Sequence, residues 1–177
     1  MRIIFVRHGE AEIDKTRNQN HRTLTKKGKK QAKLLAKHLK KVHFDEFYSS
    51  DLLRAKQTSE IVSKKIRINP IIEKSLNEFE SDFLKKDKKK LKKKDNPNYN
   101  NLIAFLKKIS KNPEQDKGIL IISHGNTNRI ILSYFMNINL NHLIQFRQKE
   151  TAINSVHWSK HFKNWRLDYW NNTEHLK

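Results

Sequence analysis

The sequence has no cysteine, which excludes a disulfide framework and any thiol chemistry. It has only four glycines, and no stretch resembles a glycine-rich nucleotide cradle. No carboxylate–histidine spacing resembles a metal site. Long hydrophobic runs are also missing. The opening Met1 to Gly9 stretch is too short in apolar residues for a signal peptide, and no later run approaches a membrane span. The expectation is a cytoplasmic protein with no membrane contact, no metal and no cofactor. Acidic residues are scarce: 18 Asp and Glu stand against 38 Lys and Arg, a net charge of +20. Such a field draws in anions, whether a phosphorylated substrate, nucleic acid or an anionic surface. A general drift toward lysine, asparagine and isoleucine accounts for the same excess equally well. The 177 residues suffice for one domain, with an adequate core at 36% hydrophobic content.

What the chain does have is one small pattern, twice. Ile3-Ile4-Phe5-Val6 runs into Arg7-His8-Gly9, and Ile119-Leu120-Ile121-Ile122-Ser123 runs into His124-Gly125. Each reads as a buried strand that ends on a histidine and a glycine. Ligand sites of open α/β sheets gather at the carboxyl ends of strands. Two such histidines, distant in sequence, can meet there.

Strand-like runs alternate with helical patterns. Thr25 reads as the N-cap of a helix in which Ala32, Leu35, Ala36 and Leu39 repeat at helical spacing. Phe44 to Tyr48 reads as a strand ending in Ser49-Ser50. Asp51 reads as a cap for the next helix, with Ala55, Thr58, Ile61 and Val62 on one face. Ile66 to Ile72 is strand-like, with Pro70 marking an edge position or an early end. Leu102, Phe105, Leu106 and Ile109 define another helix, and Ile130, Ile131, Tyr134 and Phe135 the one after His124. Ala152 to Trp158 and Trp165 to Trp170 read as two closing strands. This alternation predicts a three-layer α/β/α sandwich with a mainly parallel sheet. The expected organisation is a single domain over 1–177 with a lysine-rich insert at about 84–98, whose Lys85 to Lys94 run cannot bury a face.

The residues beside the histidines indicate the ligand. Arg7 precedes His8, Arg54 lies early in the helix after the second strand, and Asn126 and Thr127 open the helix after His124. Arginine forks, imidazoles and a helix N-terminus together make an anion site. The expected ligand is a phosphoryl group held without metal.

The motifs then carry a resemblance. Arg7-His8-Gly9-Glu10 resembles the signature of the histidine phosphatase superfamily, the phosphoglycerate mutase-like fold, here on the phosphatase branch. Leu24 to Ala32, Tyr48 to Thr58, Leu76-Asn77-Glu78-Phe79 and Ile122 to Asn126 are similar to the family's later motifs, in the family's order. The resemblance implies His8 as the nucleophile that forms a phosphohistidine. Arg7, Arg54 and His124 would bind the equatorial oxygens, with backbone N–H groups near Asn126 assisting. Glu78 would protonate the leaving alcohol and then activate water. His8 must be neutral to attack, and the two arginines favour that form.

The chain departs from the family in places. Glu80-Ser81-Asp82-Phe83 replaces a glycine and an aromatic-Glu-Gly triplet, so Glu80 and Asp82 compete with Glu78 for the acid's role. Asp14 stands where the mutase branch tends to carry asparagine, and it disfavours a second phosphate. Arg22-Thr23-Leu24-Thr25 resembles the compact branch that acts on protein phosphohistidine, which lacks the acid; Glu78 argues instead for phosphate esters.

The expected activity is hydrolysis of a small phosphomonoester of the sugar phosphate or nucleotide type. The alternative is a protein phosphohistidine phosphatase. An alternative of another class is a weakly active domain that binds nucleic acid or a phosphorylated partner through its positive charge. Trp158, Trp165 and Trp170, interleaved with Lys160, Lys163 and Arg166, mimic a stacking platform for nucleic acid, although packing within two strands is the simpler account. His21, His38, His43, His142, His157, His161 and His175 read as structural or solvated, with His21 nearest the pocket mouth.

Overall fold

The computed structural model describes residues 1–13, 21–80 and 96–177. Both the lysine run and Asp14 and Asp82 lie outside these residues. The strands are β1 (Arg2–Arg7), β2 (Glu46–Ser49), β3 (Ile71–Ile72), β4 (Gly118–Ser123), β5 (Ile153–Ser159) and β6 (Asn164–Asn172). The long helices are α1 (Lys26–Leu39), α2 (Leu53–Ile66), α3 (Pro97–Ile109) and α4 (Gly125–Met136). Among the described residues the strands form one sheet in the order β3-β2-β4-β1-β5-β6. The pairs β3–β2, β2–β4 and β4–β1 are parallel, while β5 is antiparallel to β1 and to β6. The mainly parallel α/β sheet expected from the alternation is therefore the fold.

Strand residues alternate between the two faces, and the core divides accordingly. Ile3, Phe5, Ile119 and Ile121 pack on one face with Leu102, Phe105 and Leu106 of α3 and Ile130 and Ile131 of α4. Ile4, Val6, Leu120 and Ile122 pack on the other with Leu35 and Leu39 of α1 and Ala55 and Val62 of α2. The first two crossovers run toward the β3 edge with their helices on one face. The next two return the other way with helices on the opposite face. The chain thus changes direction between β4 and β1, where α/β sheets open a crevice at their carboxyl ends.

Local signals explain most boundaries. Thr25 caps α1, accepting from the Gly28 N–H at 3.0 Å. Asn96 caps α3 with Pro97 as its first residue, an arrangement in which the missing proline N–H costs nothing. Two expectations change. Asp51 does not cap α2; the helix starts one residue later, with Leu52 at the cap and no side-chain bond, and the Asp51 N–H donates instead to Asn77 Oδ1 at 3.2 Å. Ile66 ends α2 and does not start a strand, since it extends the helical face of Val62 by four residues. Arg67 then closes the helix with φ 63°, leaving only Ile71–Ile72 at the sheet edge, consistent with Pro70. The three tryptophans pack as strand residues against the core, with Trp165 4.5 Å from Phe135 between ring centroids. Among the described residues no helix is long and apolar enough to cross a membrane.

Candidate active site

Three neighbouring parallel strands deliver the site. The register pairs Arg7 with Ser123 and Ser49 with Ile122. The ladder continues one step beyond the strands, where the His8 N–H reaches Ser123 O and the Ser50 N–H reaches Ile122 O, both at 3.0 Å. His8, His124 and Ser50 are thereby side by side. The imidazoles of His8 and His124 stand edge to face with centroids 5.0 Å apart. Both rings are buried, His8 at 5% and His124 at 0% exposure, as is Arg54 at 2%.

The tautomer of His8 follows from its contacts. Nδ1 lies 2.7 Å from Gly9 O, an acceptor only, so Nδ1 carries the proton and donates it. Nε2 is then a lone pair, and it accepts a hydrogen bond from Arg54 Nε–H at 3.0 Å. Burial first, then the charge of Arg54, holds the His8 pKa well below its ordinary value of 6.5. The expectation that arginines keep this ring neutral is met, with desolvation as the larger cause.

Arg7 leaves the end of β1 and is braced from the chain that precedes β5. Its Nη1 donates to Gln148 O at 2.6 Å and its Nη2 pairs with Glu150 at 3.1 Å. Its buried Nε has no partner, and neither has the buried Nδ1 of His124. Unsatisfied buried polar atoms are costly in a finished interior, and the Arg7 Nε–H is a donor suited to an anion.

Glu78 is held at the rim by the segment Leu76 to Phe79, which β4 and α4 staple in place. Ser123 Oγ donates to Leu76 O and Thr127 Oγ1 to Asn77 O, each at 2.7 Å. The Asn126 N–H donates to Glu78 Oε1 at 3.0 Å, and Asn126 Nδ2 donates to Phe79 O at 2.8 Å. Burial pushes the Glu78 pKa up, against the pull of the Asn126 N–H and Arg54. Asn126 therefore contacts Glu78, with its side-chain oxygen accepting from Arg129 Nη1 at 2.7 Å. Glu80 is exposed. His21 lines an open cavity of about 340 Å³ with Asp51, Lys56 and Asn77.

The flanking motifs fix the backbone beneath His8. Thr58 Oγ1 accepts the Gly9 N–H at 3.1 Å and donates to Arg54 O at 2.8 Å. Gln31 accepts from the Glu10 N–H and Gln57 from the Leu24 N–H, both at 2.8 Å. The profile of the Histidine phosphatase superfamily (branch 1) matches residues 3–103 and 98–173, which is most of the sequence.

The chain belongs to the histidine phosphatase superfamily. A curated relative, the 2,3-bisphosphoglycerate-dependent phosphoglycerate mutase of Buchnera aphidicola subsp. Cinara cedri, is 30% identical over 195 residues, covering 78% of this chain and 85% of its own. Among solved structures, a phosphoserine phosphatase mutant of Entamoeba histolytica with phosphoserine bound aligns at TM-score 0.76 and 20% identity over 99% of each chain. The protein histidine phosphatase SixA with tungstate aligns at TM-score 0.71 and 22% identity over 100% of each. At these identities the two structures establish the shared fold.

In this superfamily member, several residues of the site carried no signal in the sequence. Gln148 and Glu150 brace Arg7 across 141 and 143 positions of chain, and only the placement of β5 beside β1 brings them there. Arg129 was legible in principle, lying three residues after Asn126 on one helix face. Ser50 and Asn77 sit inside motifs already singled out, but their contacts with His124 and with each other depend on the β2–β4 register.

Proposed function

We propose that this protein is a phosphatase that hydrolyses a small phosphomonoester through a phosphohistidine on His8. The observation that carries the reading is the His8 Nε2 lone pair, buried and aligned by Arg54 beside a second buried imidazole. Arg7, Arg54 and His124 bind the phosphoryl oxygens. Arg54 Nε–H turns from His8 Nε2 to a phosphoryl oxygen, the freed Nε2 lone pair attacks phosphorus, and the P–O ester bond breaks. Charge that develops on the equatorial oxygens meets the guanidinium groups of Arg7 and Arg54. The leaving alkoxide takes its proton from Glu78, whose raised pKa suits it to hold one. The Glu78 carboxylate then removes a proton from water, the hydroxide attacks phosphorus, and the N–P bond breaks to restore neutral His8.

One observation favours a second reading, a mutase that returns the phosphoryl group to an organic acceptor: the curated relative is named as a phosphoglycerate mutase. The readings separate by product. Release of inorganic phosphate from a panel of sugar phosphates, nucleotides and phosphoamino acids, abolished in His8→Ala, supports the hydrolase. Interconversion of phosphoglycerates without net phosphate release supports the mutase, and activity retained in His8→Ala defeats both.

A further inference from the structure

The contacts of Ser50 fix the proton on His124. The backbone N–H of Asp51 donates to Asn77 Oδ1 at 3.2 Å, which identifies that atom as an acceptor. Ser50 Oγ lies 2.7 Å from the same oxygen, a separation that is repulsive between two oxygens unless a proton lies between them. The single hydroxyl proton of Ser50 therefore points at Asn77. The Leu52 N–H donates to Ser50 Oγ at 3.2 Å, and the remaining neighbour of Oγ is His124 Nε2 at 2.8 Å. With its own proton committed, Oγ can only accept from that nitrogen. Nε2 of His124 must carry the proton, and Nδ1 must be a lone pair. That Nδ1 is buried without a partner.

The two catalytic imidazoles are thus opposite tautomers. His8 is protonated on Nδ1 and His124 on Nε2. A lone pair at His124 Nδ1 repels a phosphoryl oxygen, whereas an N–H there donates to it. Resting on the phosphoryl-binding reading above, we infer that Ser50, held by Asn77, is a positioning residue that locks free His124 as the Nε2–H tautomer, so that His124 Nδ1 takes up a proton when a phosphoryl group binds.

The charged surroundings give this uptake its direction. Facing His124 are the His8 ring from just beyond β1, Arg7 from the end of that strand, Arg54 from α2 and, through Asn126, Glu78. Burial, then His8, Arg54 and Arg7, oppose a charge on free His124. A bound dianion reverses that balance. The proton comes from solvent or from a monoanionic ester, and it forms one N–H bond at Nδ1. The bound phosphoryl group is then held by an imidazolium as well as two guanidiniums. In Ser50→Ala the constraint is gone, and neutral His124 is free to offer Nδ1–H without uptake.

The test uses 15N-histidine NMR of the whole chain, with the His124 signals assigned by their loss in His124→Gln. In the free protein His124 should show a protonated Nε2 and an unprotonated Nδ1. Ser50→Ala should shift the signals toward Nδ1–H, and Ser50→Thr, which keeps the hydroxyl, should restore them. Tungstate, a tetrahedral dianion with no proton of its own at mildly alkaline pH, is then added. Nδ1 of His124 should become protonated, with matching proton uptake in calorimetry across buffers of different ionisation enthalpy. Nδ1–H in the free wild type overturns the tautomer assignment. Tungstate bound with Nδ1 still unprotonated overturns the uptake. Failure of tungstate to bind defeats the phosphoryl-site reading instead, while the free-protein spectrum still decides the role of Ser50.

Discussion

Arg54 Nε donates to the Nε2 lone pair of His8 at 3.0 Å, so one buried guanidinium fixes the orientation of the imidazole proposed as nucleophile. A lysine at this position keeps charge but loses the planar fork and its fixed N–H direction. Arg54→Lys should lower kcat/KM for an aryl phosphate by about 100-fold or more, as expected for loss of a preorganised donor to the transition state. Steady-state kinetics check this, and a change below about threefold would remove Arg54 from the proposed mechanism.

Glu78 is proposed as the proton donor to the leaving group, and its importance should scale with leaving-group basicity. Glu78→Gln should reduce kcat by about 100-fold or more for alkyl phosphates and far less for an activated aryl phosphate. Because burial raises its pKa, the protonated donor persists to higher pH than an ordinary carboxyl group would. Turnover of alkyl esters in the wild type should fall as pH rises through that raised value, and the fall should be absent in Glu78→Gln. Equal losses on both substrate classes would point to a structural role.

A methyl group at position 28 should unsettle the site from behind. The backbone of Gly28 packs so closely on Glu10 that a Cβ added at Gly28 would run into the Glu10 carbonyl oxygen and lie 2.9 Å from the Glu10 carbonyl carbon and amide nitrogen. The partner atoms are backbone and cannot swing aside. Gly28→Ala should therefore destabilise the fold by about 1–3 kcal/mol, as overpacking does, readable as a lower midpoint in urea unfolding.

The buried histidines should make stability depend on pH. His8 and His124 both have folded pKa values below the ordinary 6.5. At pH below that value the unfolded chain binds more protons than the folded one, so stability should fall as pH drops through about 6.5 and below. Chemical unfolding at about pH 8 and about pH 5 measures the slope. His8→Gln should reduce it, and an unchanged slope would mean that His8 is not the group responsible.

The pairing of His8 with His124 was legible because each apolar run stops on a His-Gly pair, and strand ends are where α/β sheets place ligands. The helices were legible from spacing, as in Leu35 and Leu39 or Leu102 and Leu106. What the chain could not reveal was the insertion of β4 between β2 and β1, a long-range pairing that no local pattern encodes. That insertion sets Ser50 against His124, and the equally long-range pairing of β5 with β1 brings Gln148 and Glu150 to Arg7. The Ile66 to Ile72 run misled because its first isoleucine serves the helical period of α2, and the left-handed turn at Arg67 has no signature in a residue of that type.

The central claim is covalent catalysis by His8. The most direct measurement is rapid acid-free quenching during turnover of an aryl phosphate, followed by mass spectrometry of the intact chain and its peptides. The account predicts a phosphoryl group on His8 that is labile to acid and stable to base, and that is lost in His8→Asn. Steady phosphate release with no phosphorylated histidine at any quench time, or with the same turnover in His8→Asn, would contradict it.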